Sequence, residues 1–319
     1  MITLDEIQAA QQRIQGLAVH TPLVQCFAQE CPGQIFIKAE GLQPIGSFKL
    51  RGAANKIAQL TPEERSRGVI TYSSGNHAQG VAFAARAFGS KAVIVMPSNA
   101  PEIKRRATRA LGAEIVTVGP ASSERKAKAE ELSAAHGYVV IPPYDDPAII
   151  AGQATCGLEI IQDLPGADLV LSPVSGGGLL SGVAAAVKHL RPQCRVIGVE
   201  PELAADAQES FRSGRLVTWP AEKTTRTIAD GLRTQSLGHL NFEHIRAYVD
   251  DIITVSEDEI RAAMRRLLFD ARLTPEPSGA VTTAALLFHT AELLPFQRAV
   301  AIMSGGNVEP DLLADVIRN

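Results

Sequence analysis

The sequence predicts an α/β fold of two open, twisted, mostly parallel sheets, and three observations carry that expectation. Short β-branched runs alternate with longer helical patterns through all 319 residues, polar glycine-rich loops follow three of the runs, and no repeat, low-complexity tract or long linker interrupts the alternation. With 45% hydrophobic and 20% charged residues, the chain can bury one large core or two smaller ones.

In chain order, Gln34–Lys38, Gly68–Tyr72, Ala92–Met96, Glu114–Val118, Tyr138–Ile141, Leu169–Val174, Arg195–Val199 and Ala299–Met303 are expected strands, being short and mostly rich in Val and Ile. Helices are expected over Ala82–Ala85, Lys104–Leu111, Ser122–His136, Leu179–Leu190, Asp258–Arg272 and Ser278–Leu294. Strands separated in this way pair in parallel and carry helices on both faces. From about Ala53 to about Asp146 the pattern forms a βαβαβ-like unit of about ninety residues, within the usual size of a domain. Pro142-Pro143-Tyr144-Asp145-Asp146-Pro147 reads as its exit. A small domain, 53–146, is therefore expected inside a large one made of 1–52 and 147–319.

A net charge of −3, with both signs spread along the chain, offers no basic stripe for a phosphate backbone, so nucleic acid is not an expected partner. Cys26, Cys31, Cys156 and Cys194 show neither C-x-x-C spacing nor histidines at finger spacing, and read as reduced, mostly buried thiols. The start, Met1-Ile2-Thr3-Leu4-Asp5-Glu6-Ile7, lacks the positive patch and apolar run of a secretion signal, and no apolar stretch approaches a bilayer span. A cytoplasmic protein without membrane contact is expected.

Three loops at strand ends hold the chemistry: Ser73-Ser74-Gly75-Asn76-His77, Ser175-Gly176-Gly177-Gly178 and Ser304-Gly305-Gly306-Asn307. In open α/β sheets, ligands bind beyond the carboxyl ends of strands, where loops expose N–H groups and helix N-termini. Ser175–Gly178 before an apolar helix suits a phosphate, although read alone it is equally a tight strand-to-helix turn. It lacks the Gly-Lys-Ser/Thr ending of a nucleotide-triphosphatase loop. Glu200 stands where a ribose-binding carboxylate could lie, but Gly176-x-Gly178 meets Ser181 at the third glycine position, so the dinucleotide signal is weak.

Lys49 follows Pro44-Ile45-Gly46-Ser47-Phe48 and precedes Leu50-Arg51-Gly52. An amine desolvated beside an aromatic ring loses basicity and becomes nucleophilic toward an aldehyde; otherwise it is an ordinary exposed lysine. The order of this segment, then Ser73–Gly80, the triple glycine and Ser304–Asn307 resembles the pyridoxal-phosphate-dependent serine/threonine dehydratase and serine racemase family over essentially the whole chain. The resemblance implies the tryptophan-synthase-β-like architecture, fold type II, with the cofactor between a large domain and a small mobile one.

By the same resemblance, Lys49 matches the Schiff-base lysine and Phe48 the residue flanking the ring. Asn76 matches the side chain on the phenolic oxygen, Ser175, Gly176, Gly177, Gly178 and Leu179 the phosphate loop, and Ser304 the hydroxyl facing the pyridine nitrogen. Gly231, within Thr227–Arg233, and Glu276, within Pro275–Ala280, match residues beside the ring; in isolation both segments read as turns. A serine opposite the nitrogen cannot hold it protonated, which suits β-elimination. Ser73, Ser74, Gly75, Asn76 and His77 are expected to receive the substrate carboxylate. Ser74, otherwise a helix cap, matches a serine of the racemase branch, able to act on the face of Cα opposite Lys49. Glu200, the carbonyl of Ala204 and Asp206 match that branch's Mg²⁺ site, open also to Ca²⁺ or Mn²⁺; without the resemblance they read as solvated acids. Relatives are commonly dimers, so a homodimer is implied. With twelve residues after Asn307, an amino-acid-sensing regulatory domain is not expected.

A serine hydrolase lacks its G-x-S-x-G elbow here, and Ser123-Glu124-Arg125-Lys126 matches S-x-x-K without its S-D-N and K-T-G partners. Two classes stay open on sequence: a pyridoxal-phosphate lyase or racemase acting on serine, threonine or 3-hydroxyaspartate, and a non-catalytic amino-acid- or nucleotide-binding protein on the same scaffold.

Overall fold

The computed structural model of the chain describes residues 1–27, 33–73, 75–98, 100, 102–119, 122–293 and 295–318, without the side chains of 103, 122 and 123. Ten strands run in order: β1 (Leu23–Cys26), β2 (Gln34–Ala39), β3 (Val69–Tyr72), β4 (Ala92–Pro97), β5 (Glu114–Val118), β6 (Val139–Val140), β7 (Leu169–Pro173), β8 (Arg195–Pro201), β9 (Asp251–Val255) and β10 (Arg298–Met303). They form a six-stranded sheet, β1-β2-β10-β7-β8-β9, and a four-stranded sheet, β5-β4-β3-β6. Every pair is parallel except β1 with β2. The α/β architecture read from the sequence is therefore present, and the four-stranded sheet falls within residues 69–140.

All eight expected strands exist, with ends moved by one or two residues. Those not foreseen, β1 and β9, are the two edges of the larger sheet. Central strands such as β4 and β7 are buried throughout and read as largely apolar runs, whereas β1 has no fully buried residue and β9 leaves Asp251 and Thr254 partly exposed. Expected Ala82–Ala85 extends to Asn76–Ala87, and expected Ser278–Leu294 breaks at His289 into Pro277–Phe288 and Thr290–Leu293. The helix Leu4–Ile14 was signalled by its capping box, Thr3 with Glu6, but not foreseen.

The helix Pro147–Asp163 lies between the helix Lys49–Ala58 and the helix Gly178–Leu190. Nearly every residue in it is buried, so it has no polar face by which a helical period could be recognised. On one side it packs on the helix Lys49–Ala58, on the other on the helix Gly178–Leu190. Glycines allow both approaches: a Cβ on Gly152 would lie 2.6 Å from the Arg51 carbonyl, and one on Gly182 would lie 2.5 Å from the Ile150 carbonyl. Backbone contact of this kind fixes the two helices that begin at Lys49 and at the glycine loop relative to each other.

A buried ion cluster locks the same junction. Arg51 donates to both oxygens of Glu40, at 2.8 and 2.8 Å, and to both of Glu159, at 2.7 and 2.7 Å. Lys38 donates to Glu159 at 2.7 Å and to the Thr21 carbonyl at 2.6 Å. Each buried charge is hydrogen-bonded to an opposite one, the condition under which burial of ions is tolerated. The Arg51 guanidinium, followed by its bond, holds the Glu40 carboxyl below its ordinary pKa against the opposing effect of burial, which is the largest influence on it.

Candidate active site

Lys49 stands at the first turn of its helix because the preceding segment is zipped onto the loop after β10. Phe48 N–H donates to the Ser304 carbonyl at 3.1 Å, Gly306 N–H donates to the Gly46 carbonyl at 2.9 Å, and Ser47 bridges Gly305. Residues at opposite ends of the sequence thus meet at one point. The Lys49 amine is half-buried, lies 5.2 Å from the centre of the Phe48 ring and donates to the Pro143 carbonyl at 2.8 Å. No carboxylate pairs with it among the described residues. Burial lowers its pKa from 10.5 to about 8, so far more of it is free nucleophilic amine near neutral pH than in an exposed lysine.

The loop after β3 faces this amine. Ser73 accepts from Gly75 N–H at 3.3 Å, and Gly75 leads into the helix Asn76–Ala87; Ser74 lies outside the described residues. His77 is buried, with Nε2 at 3.0 Å from the Ile141 carbonyl and Nδ1 without a partner. Burial first, and the Lys49 charge second, push its pKa down to about 3, so the ring is neutral and Nε2 carries the proton. His77 is thus a buried, neutral element of the loop, tied to the Ile141 carbonyl.

Asn76 joins this loop to the larger sheet. Its amide donates to Glu276 at 2.7 Å, and its oxygen accepts at 2.8 Å from Asn307, which also reaches the Ile45 carbonyl at 2.8 Å. Burial first, then the charge of Asp230, raises Glu276 to about 8 and keeps it largely protonated at neutral pH. Ser304 is buried, its hydroxyl 3.4 Å from the Ser278 carbonyl.

The glycine loop follows β7. Ser175 and Gly177 adopt left-handed backbone, φ +58 and +92, and Gly178 starts the apolar helix whose second residue, Leu179, is buried. A Cβ on Gly177 would lie 2.9 Å from Asn241, and one on Gly176 would enter the Tyr144 ring, at 2.4 to 2.6 Å. Ser175 donates to the Gly231 carbonyl at 3.1 Å, and Gly231 N–H donates to Ser278 at 2.9 Å. Phe48 thus bonds Ser304, Asn76 bonds Glu276, and the two pairs meet through Gly305, whose carbonyl accepts from Glu276 N–H at 3.0 Å; Ser175 and Gly231 reach the same wall through Ser278.

The Glu200 and Asp206 carboxyls form a separate centre. Glu200 ends β8 and accepts from Gln208 N–H at 2.9 Å; Ala204 lies in the intervening turn, and Asp206 begins the helix Asp206–Ser213. Neither side chain is exposed, against the solvated alternative, and neither Asp206 oxygen has a hydrogen-bond partner. Burial and then Asp206 raise Glu200 strongly, and burial raises Asp206 to about 7. Buried carboxyls without a cation suit a hard divalent ion completed by carbonyl oxygen and water. Among the described residues no group of three or more His, Cys, Asp or Glu side chains is placed to hold a metal.

Sequence reasoning missed the contribution of 143–144. Pro142–Pro147 read as a domain exit, yet Pro143 holds the lysine and Tyr144 covers the glycine loop. No local signal distinguishes such a wall from a turn.

Residues 14–305 match the family described as pyridoxal-phosphate dependent enzyme, and the chain belongs to it. It is 42% identical over 311 residues to the catabolic L-threonine dehydratase TdcB of Escherichia coli strain K12, covering 97% of this chain and 94% of the relative. Identity is 40% over 317 residues with L-threo-3-hydroxyaspartate ammonia-lyase of Saccharomyces cerevisiae, covering 99% and 96%. The solved structure of maize serine racemase matches with a TM-score of 0.94 at 36% identity, covering 99% of this chain and 96% of that one. Its similarity extends to ammonia-lyases and a racemase alike, so the chain is an enzyme of this class, as the motifs imply. No helix among the described residues is long and apolar enough to cross a membrane.

Proposed function

We propose that the chain is a serine/threonine dehydratase, an ammonia-lyase releasing a 2-oxo acid and ammonia, with serine racemase activity at the same site. The observation that supports this most is the carboxylate-free Lys49 amine, with its pKa lowered to about 8 where three strand-end loops converge. The residues fit pyridoxal phosphate: a nucleophilic amine for its aldehyde, and for its phosphate a helix start behind glycines where a Cβ would collide. Bound there, the cofactor would supply an electron sink that acidifies the Cα–H bond.

The chain's own residues divide the remaining work. Ser175–Leu179 would hold the phosphate, and Phe48, Gly231, Asn76 and Glu276 would hold the ring. Ser304 would offer the ring nitrogen a neutral hydroxyl. The loop 73–77 would orient the substrate carboxylate with its N–H groups, and Lys49 would take the Cα proton. Ser74 would return a proton to the opposite face, giving racemisation. A division into domains 1–52 with 147–319 and 53–146, the latter mobile, belongs to the same reading. So do a homodimer, a cytoplasmic location, no nucleic-acid partner, and Mg²⁺, Ca²⁺ or Mn²⁺ on Glu200, Ala204 and Asp206.

A second reading, L-threo-3-hydroxyaspartate ammonia-lyase, is favoured by the 40% identity with the yeast enzyme. The experiment is keto-acid release and product chirality with serine, threonine and 3-hydroxyaspartate, with and without Mg²⁺, for the wild type, Lys49→Ala and Ser74→Ala. Lys49→Ala is expected to lose the visible absorbance of lysine-bound cofactor and all turnover. Ser74→Ala is expected to keep elimination of the L-isomer while losing racemisation; equal loss of every activity overturns the two-face assignment.

A further inference from the structure

A cation and an anion from opposite sheets meet at the rim of this site. Lys104 lies on the helix Glu102–Ala110, between β4 and β5, and donates to Asp230 at 2.5 Å. Asp230 opens the short turn Asp230–Leu232 on the side of the larger sheet. The residue after it is fastened twice, Gly231 N–H donating to Ser278 and its carbonyl accepting from Ser175. Asp230 is therefore anchored between the glycine loop and the Glu276–Ser278 segment, close enough for its charge and that of Lys104 to act on the Glu276 carboxyl. The Lys104 side chain keeps only 13% of its surface exposed, against 41% for Asp230, so the cation is the more buried partner of the pair.

Substrates of this enzyme class share an amino group, a carboxylate and a β-hydroxyl, and differ in whether the rest of the side chain is charged. Glu276, largely protonated, adds little charge to this wall, which leaves Lys104 and Asp230 as its opposed pair. A second substrate carboxylate brought here must shed water, while the cation it needs is already bonded to Asp230 and Asp230 itself repels it.

We propose that the Lys104–Asp230 pair sets which β-hydroxy amino acid the site accepts, its matched charges admitting serine and threonine and disfavouring 3-hydroxyaspartate. The inference rests on the ammonia-lyase reading above. It assigns Asp230 the role of masking a cation that would otherwise recruit a distal carboxylate, so the two side chains are specificity determinants and not proton carriers.

The test is a charge cycle on the holoenzyme: wild type, Asp230→Asn, Lys104→Gln and the double variant. The readout is the ratio of kcat/KM for L-threo-3-hydroxyaspartate to that for L-serine. Asp230→Asn should raise the ratio about tenfold, the change that about 1.4 kcal/mol produces. Lys104→Gln should lower it by a similar factor, and the double variant should return near the wild-type value. A calorimetric comparison of L-aspartate with L-alanine binding, which needs no leaving group, should move in the same directions. Ratios that stay constant while both substrates fall together would show a purely structural pair and overturn the proposal. Should the wild type release keto acid from neither substrate, the ammonia-lyase reading fails by itself, and the aspartate-to-alanine comparison still decides the role of the pair.

Discussion

Lys49 and Arg51 lie two residues apart on one helix, and both take a positive charge out of water, yet their surroundings are opposite. Arg51 is wrapped by both oxygens of Glu40 and both of Glu159, and its proton is held more tightly than in free arginine. Lys49 meets one carbonyl and a ring, and its proton is held less tightly than in free lysine. The contrast separates a cation that serves the fold from one that serves chemistry: carboxylates around the first make it inert, and their absence around the second makes it reactive.

Removing the Arg51 charge tests one side of this comparison and carries the largest expected effect. Arg51→Met should cost about 3–5 kcal/mol of unfolding free energy, because Glu40 and Glu159 stay buried with fewer partners. Urea unfolding of the cofactor-free protein measures it; a loss below about 1 kcal/mol, the range of exposed pairs, would break the contrast.

The carboxyls Glu200 and Asp206 extend the comparison to anions without cations. Saturating Mg²⁺ or Ca²⁺ should stabilise the wild type by about 2–3 kcal/mol, the linkage expected at about a hundredfold excess over Kd, and should not stabilise Asp206→Asn. Thermal melting with and without the ion reads this. Without a cation, the sign for these two groups is set by their raised pKa values. The folded protein binds their protons more tightly than the unfolded chain, so they detract from stability increasingly as the pH rises above the usual carboxyl range toward and past about 7.

The smallest effect has the opposite sign from that of Arg51. Lys49→Met should raise the stability of the cofactor-free protein at pH 7 by about 1 kcal/mol, a figure reduced for the solvent that still reaches the amine. Between about 8 and 10.5 the unfolded chain binds the lysine proton and the folded chain does not, so wild-type stability rises with pH there. The advantage of the variant should therefore shrink across that window in parallel melts. Uptake of pyridoxal phosphate by the wild type should speed up as the pH approaches 8 and level off above it.

The same contrast explains what could be read from the sequence. Lys49, the triple glycine and the loops at 73–77 and 304–307 are local strings whose geometry follows from short-range backbone rules, and they were visible. The partners that define Arg51 are 11 and 108 residues away, and the ion pair between Lys104 and Asp230 spans 126, so neither leaves a local trace. The unforeseen edge strands β1 and β9 fail for a related reason: half-burial erases the apolar run by which the inner strands announce themselves. The helix Pro147–Asp163 fails in the reverse way, being apolar all round.

The zipper between residues 46–48 and 304–306 also has a consequence for how the molecule comes into being. β10 inserts between β2 and β7, so until residues 298–303 have left the ribosome the larger sheet lacks the strand that joins its two parts. The lysine is made early and Ser304 late, and the bond from Phe48 N–H to the Ser304 carbonyl cannot form in between. Assembly of the reactive amine into its pocket thus waits for residue 304. A nascent chain with an unfinished sheet carries no organised nucleophile, and the edges it exposes make it dependent on protection during synthesis.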